Sequence, residues 1–142
     1  MIGFRLKYLS FDSPAVIAKV KPAKRKVLSR FGAFVRRTAK SSIRKRKKTS
    51  TPGSPPSSHT GLLKKFILFG YDSDKDSVVI GAKRLGGRGK GDVPSLLEYG
   101  GTTMLVRRGK RELATYQARP YMGPAYDKEE PKLPAMWRDS VK

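Results

Sequence analysis

The sequence predicts an α+β fold: one long helix near the start, then antiparallel strand pairs and short helices. Three observations predict it. Residues 14 to 46 carry apolar side chains at helical spacing in an otherwise basic stretch. Residues 66 to 81 hold two short apolar runs separated by Asp72-Ser73-Asp74-Lys75-Asp76, the pattern of a hairpin. Residues 116 to 137 are rich in aromatics and prolines, which restrict them to short helical turns.

A chain of 142 residues is sized for a single domain with a modest core. It has no cysteine, which excludes disulfides and thiolate metal sites and suits a reducing compartment. The first twelve residues, MIGFRLKYLSFD, lack the apolar centre of a signal peptide. No apolar run approaches the roughly 20 residues that span a bilayer, so a soluble protein with no membrane partner is expected. The formal net charge is +21, and every charged residue from Lys19 to Lys48 is basic. A field this positive implies an anionic partner, either nucleic acid or the acidic face of another protein.

In chain order, Ile2, Phe4, Leu6 and Tyr8 alternate with Gly3, Arg5 and Lys7, as in a half-buried strand. Asp12 or Ser13 caps the long helix, with Pro14 in its first turn and a bend expected near Pro22. Val16, Val20, Val27, Phe31, Phe34, Val35 and Thr38 form its apolar stripe. Gly32 and Ala33, beside the stripe, suit a close helix contact. The segment from 44 to 60 reads as a flexible arm, basic from Arg44 through Lys45, Arg46 and Lys47 to Lys48 and Pro/Ser-rich after it. Phe66 to Tyr71 and Ser77 to Gly81 are the hairpin strands, and a glycine-rich loop runs from 86 to 92. Val93 to Tyr99 reads as a short helix stopped by Gly100 and Gly101. Thr102 to Val106 and Glu112 to Gln117 are strand-like, around a basic turn. Pro120 has the fixed φ of a first helical turn, and Leu133, Met136 and Trp137 form a separate docking turn.

Several patterns suggest chemistry and fail on inspection. Asp72, Asp74 and Asp76 match the start of a calcium loop, but Ser77 and Lys83 stand where it needs Gly and Glu. The run Gly86 to Gly91 lacks the Ser or Thr that follows the lysine of a phosphate loop. His59 is a lone surface residue in a polar loop. No nucleophile, base and orienter fall together, so neither catalysis nor a cofactor or metal is expected.

Three segments, taken in order, resemble the tail-component family of long-tailed bacteriophages, the small neck and tail-completion proteins of the head–tail joint. The first is a basic helix leading through a loop to Thr60-Gly61-Leu62-Leu63-Lys64-Lys65-Phe66-Ile67. The second is Leu97-Glu98-Tyr99-Gly100 and the third is Ala118-Arg119-Pro120-Tyr121-Met122-Gly123-Pro124-Ala125. The likeness extends from Val27 to Trp137. It implies a long helix packed on a small, mostly antiparallel sheet, with short C-terminal helices. It further implies a non-enzymatic virion protein, made in the host cytoplasm and placed at the neck. There it would form a homo-oligomeric ring of about six or twelve copies around the DNA conduit. Portal or adaptor, head-closure or tail-tube proteins would be its neighbours.

Under this resemblance Arg119, Pro120 and Tyr121 set the turn that brings the C-terminal helix onto the sheet. Glu98 pairs with a basic residue of its own or a neighbouring subunit. Thr60, Gly61, Leu62, Tyr99, Gly100 and Trp137 complete the candidate interface, and Arg44 to Lys48 face DNA or a partner. The competing reading is a basic nucleic-acid-binding module of ribosomal or nucleoid type, which accounts for the charge and leaves the ordered motifs as coincidence.

Overall fold

The computed structural model describes residues 13–83, 92–107, 109–138 and 140. The strand expected at 2–8 and the glycines of 86–91 lie outside the described residues. The fold is α+β: a long helix, two antiparallel hairpins and short C-terminal helices.

Helix α1 spans Ser13–Ser42 and runs unbroken through Pro22. It stops short of the expected Arg46. At its end the hydroxyls of Ser41 and Ser42 donate to the carbonyls of Thr38 and Ala39, three residues back. Such bonds offer these carbonyls an alternative to continued helix. The next residue, Ile43, turns into the core at 1% exposure. The buried row is Ala23, Val27, Phe31, Val35 and Ala39, at intervals of four, with Gly32 beside it. Each such step turns about 40° around the axis, so the row winds and meets different partners along its length. Val27, Phe31 and Val35 were expected there. Val16 is exposed instead, and Phe34 lies half-buried between the guanidiniums of Arg30 and Arg37, each 5.6 Å from its ring. Thr38 also leaves the apolar stripe, because its hydroxyl donates to Glu129.

After the loop 43–61 comes a single helical turn, α2 (Leu62–Lys65), entered through Gly61 at φ 78°. Strands β1 (Ile67–Asp72) and β2 (Ser77–Ala82) then pair antiparallel, Ile67 opposite Ala82 and Asp72 opposite Ser77. Alternation sends Ile67, Phe69, Val78 and Ile80 toward α1. The close approach expected at Gly32 is made to this hairpin, not to a helix. A Cβ on Gly32 would stand 2.7 Å from Val78 Cγ2 and 3.0 Å from the Phe69 ring. Asp72 Oδ1 accepts from the amides of Asp74 and Lys75, closing the turn as its Asp and Ser content suggests. Asp76, at φ 48°, accepts from Tyr71 and Lys24 and ties that turn to α1.

Helix α3 (Val93–Tyr99) has the expected limits, with buried Pro94 in its first turn. Strands β3 (Gly101–Arg107) and β4 (Lys110–Tyr116) form a second antiparallel hairpin. Among the described residues, the small sheet expected from the sequence is therefore two separate two-stranded sheets. Helix α4 (Gly123–Glu129), a 3-10 turn (Glu130–Lys132) and α5 (Leu133–Trp137) close the chain.

Helix α4 packs on α1, not on a sheet as the resemblance implied. Phe31 and Tyr126 meet edge to face at 5.8 Å, and Thr38 donates to Glu129 at 2.7 Å. Lys132 pairs with the same buried carboxylate at 2.7 Å. The core is the cluster of Phe31, Val35, Ala39, Ile43, Ile67, Tyr121 and Ala125, with Leu133 and Met136 against it. Trp137 beside them is half-buried.

Candidate functional site

The second and third motif segments, about twenty residues apart in sequence, meet at one junction built around Glu98. From the last turn of α3, Glu98 Oε2 accepts from the amides of Tyr121 and Met122 at 2.9 and 3.0 Å. Its Oε1 accepts from the amide of Gly123 at 2.8 Å. The amides of Met122 and Gly123 are among the unpaired N–H groups that open α4, and a carboxylate there also meets the positive end of the helix dipole. Charge-assisted bonds of this kind are about twice as strong as neutral ones.

The partner expected for Glu98 was a basic side chain. Among the described residues it has no ion pair, because the main chain of the third motif already occupies both oxygens. The same bonds explain why the helix begins at Gly123 with Pro124 in its first turn, not at Pro120. The amides of 121–123 point at Glu98, and the amide of Arg119 donates to Leu97 O at 2.6 Å, so 119–120 stays extended. Tyr121, 2% exposed, fills the core directly below. Burial, and then the charge of Glu98, push its phenol well above the ordinary range.

Gly100 and Arg119 complete the junction. Gly100 has φ 75°, and a Cβ there would lie 3.0 Å from both Ala118 N and Tyr116 O. The glycine after Glu-Tyr is thus required twice, for its left-handed backbone and for the crossing chain beside it. Arg119 Nε donates to Ser50 O at 3.0 Å, and Gly53 N donates to Ala118 O at 2.8 Å. These bonds fasten the segment read as an arm, whose ends also meet where Ser58 N donates to Arg44 O at 2.9 Å. Arg44, Lys45, Arg46, Lys47 and Lys48 are all exposed on it.

The first motif is not part of this junction. Thr60 is exposed and receives one long bond, 3.4 Å, from Leu62 N. Gly61 opens α2, Leu62 is 49% exposed, and Leu63 reaches the core. Tyr99, 81% exposed, points away from the junction that its neighbours build.

The outer face of α1 adds a feature that the basic composition announced only in general terms. Lys19, Lys26, Arg30 and Arg37 are all exposed, and their spacing of 7, 4 and 7 residues places them in one line along the helix. Over 18 residues that line runs about 27 Å, at 1.5 Å per residue. The heptad spacing was legible; the exposure required knowing which face is covered. Positive charge crowds the neighbouring face too. The ammonium of Lys40 is lowered from its ordinary value by desolvation first, then by Arg36 and Lys64.

No group of acidic, histidine or cysteine side chains suited to a metal occurs among the described residues. No helix among them is long and apolar enough to cross a membrane. Compared with known protein families, curated proteins and solved structures, the chain matches none.

Proposed function

We propose that this protein is a structural component of the head–tail joint of a long-tailed bacteriophage. In this reading copies assemble as a ring around the DNA conduit between portal and tail. The protein is made in the host cytoplasm, resides in the virion and performs no catalysis. The observation that carries the reading is the junction at Glu98. Two of the three motif segments on which the resemblance rests are not independent short matches, because Glu98, Gly100 and Arg119 hold them as one unit. The line of cations on α1 fits a ring threaded by DNA, since phosphate contacts neutralise charge without reading sequence.

Quantitative mass spectrometry of purified, nuclease-treated particles, from a host expressing this gene, tests the proposal. About six to twelve copies per particle are expected for one closed ring. Absence from particles overturns it.

The same line of cations favours a second reading, a nucleic-acid-binding module. Isolated protein would then bind duplex DNA with an affinity falling steeply in salt. With Lys19, Lys26, Arg30 and Arg37 each on a phosphate, the slope of log K against log salt would be about −3.6. Recovery in the ribosome or nucleoid fraction, together with that slope, would replace the ring reading.

A further inference from the structure

We infer that copies of this chain join head to tail, the apolar face of β3–β4 of one copy stacking on the outward face of β1–β2 of the next. The inference deepens the ring reading and rests on it for closure.

Cross-strand pairs define both faces. On the second hairpin Thr102 pairs with Thr115, Met104 with Leu113 and Val106 with Arg111, and alternation puts these six on one side. Met104, Val106 and Leu113 are 54%, 71% and 72% exposed, a contiguous apolar patch. A lone two-stranded hairpin is marginal in water, so one presenting such a patch calls for a partner.

The first hairpin spends its inner face on α1 and leaves an outer face of Leu68 opposite Gly81 and Gly70 opposite Val79. Leu68 and Val79 are 47% and 63% exposed, and the space where Gly70 and Gly81 would carry a Cβ is open for 4 Å. Each knob thus stands across from a notch, making a shallow apolar trough along the hairpin. None of the described residues covers either face. Two strands of six or seven residues match in length, about 20 Å each.

Charge selects this pairing over like-with-like stacking. The turn of the first hairpin carries Asp72, Asp74 and Asp76 against Lys75 and the Lys24 that pairs with Asp76, which leaves Asp72 and Asp74 outside any ion pair among the described residues. Beside the turn of the second, Lys110 and Arg111 are exposed. One apolar face therefore ends at carboxylates and the other at cations. Stacking two copies of the second hairpin would instead bring cations together, on a chain already at +21. Different surfaces meeting in this way form a heterologous contact, which repeats until the ring closes. A two-strand face is small beside the about 800 Å² per partner of a stable complex, so assembly should depend on concentration.

The chain has no cysteine, so the contact is open to direct cross-linking. Both test positions, Val79 and Leu113, are exposed. On mild oxidation, full-length Val79→Cys/Leu113→Cys should give a ladder of dimers, trimers and larger species on a non-reducing gel. A mixture of the two single variants should stop at dimers, and each single variant alone should stay uncross-linked. Charge reversal by Lys110→Glu/Arg111→Glu should slow the ladder several-fold at low salt. Dimers from a single variant alone, or no product from the mixture, would overturn the contact. If wild-type protein forms discrete rings by native mass spectrometry yet the double variant does not cross-link, the contact fails and the ring reading stands. A ladder from a protein absent from particles supports the contact and overturns the placement in the neck.

Discussion

The two hairpins are built alike and used differently. Both are antiparallel, with strands of six or seven residues. The first lies against α1 with Ile67 fully buried, Gly32 admits its side chains, and Asp76 ties its turn to Lys24. The second carries Val106 and Leu113 more openly than any other large aliphatic side chain among the described residues and is held chiefly at its root, by Gly100 and the Glu98 junction. β-Propensity does not separate them, since both are rich in branched and aromatic residues. What separates them is whether an amphipathic partner lies within reach, and that is a tertiary fact.

The largest test of this contrast compares one buried and one exposed residue. Ile67→Ala should cost about 2–5 kcal/mol, the range for emptying a core position, and Leu113→Ala no more than about 0.5 kcal/mol. Urea midpoints of the two variants measure both. Equal losses would mean that the second hairpin is as integral to the monomer as the first.

Glycine substitutions give the next largest effect. Gly32→Val drives a side chain into Val78 and Phe69 and should destabilise by about 1–3 kcal/mol, as overpacking does. Gly70→Ala, on the open outer face of the same hairpin, should change stability by less than about 0.5 kcal/mol. A mild Gly32→Val would show that α1 and β1–β2 are not in close contact.

Glu98→Gln acts at the root of the second hairpin. It removes the charge from three hydrogen bonds and turns an amide N–H toward a donor, at a cost of about 1–2 kcal/mol. The loss should appear in the monomer, as a lower urea midpoint and faster amide exchange at 121–123. A variant unchanged in the monomer and impaired only in assembly would return Glu98 to an intersubunit role.

Acid has the smallest effect. The carboxyl of Asp76 is held below its ordinary value by the bonds from Lys24 and then Tyr71, and that of Glu129 by Lys132 and then Thr38. Because both folded-state values are depressed, their stabilisation is full above the ordinary carboxylate range. It is lost as pH falls through the lowered values. Asp76→Asn should therefore flatten the acid limb of stability for the first hairpin. The turn of the second, with Gly109 and Lys110, offers no such group among the described residues. An acid limb identical in wild type and variant would remove Asp76 from the account.

Periodicity made much of the fold legible. The hairpin turn at 72–76, the limits of α3 and the docking turn at Leu133–Trp137 follow from local chemistry. Decisions made across the chain were hidden. Pro120 has the fixed φ of a helix opener, yet a carboxylate more than twenty residues away holds the amides after it, and the helix opens around Pro124 instead. Phe34 fits the apolar stripe by spacing, but the buried row steps in fours and leaves it between two arginines. Glu98 was visible as a motif residue. Its role was not, because its partners are backbone amides, which every residue but proline has.

Hydrogen–deuterium exchange of the full chain at low and high protein concentration tests the division between the two hairpins most directly. The expected result is slow exchange in β1–β2 at both concentrations. In β3–β4 exchange should be fast in dilute protein and slow once copies associate. Equal protection of the two hairpins in dilute monomer, unchanged on concentration, would contradict the account.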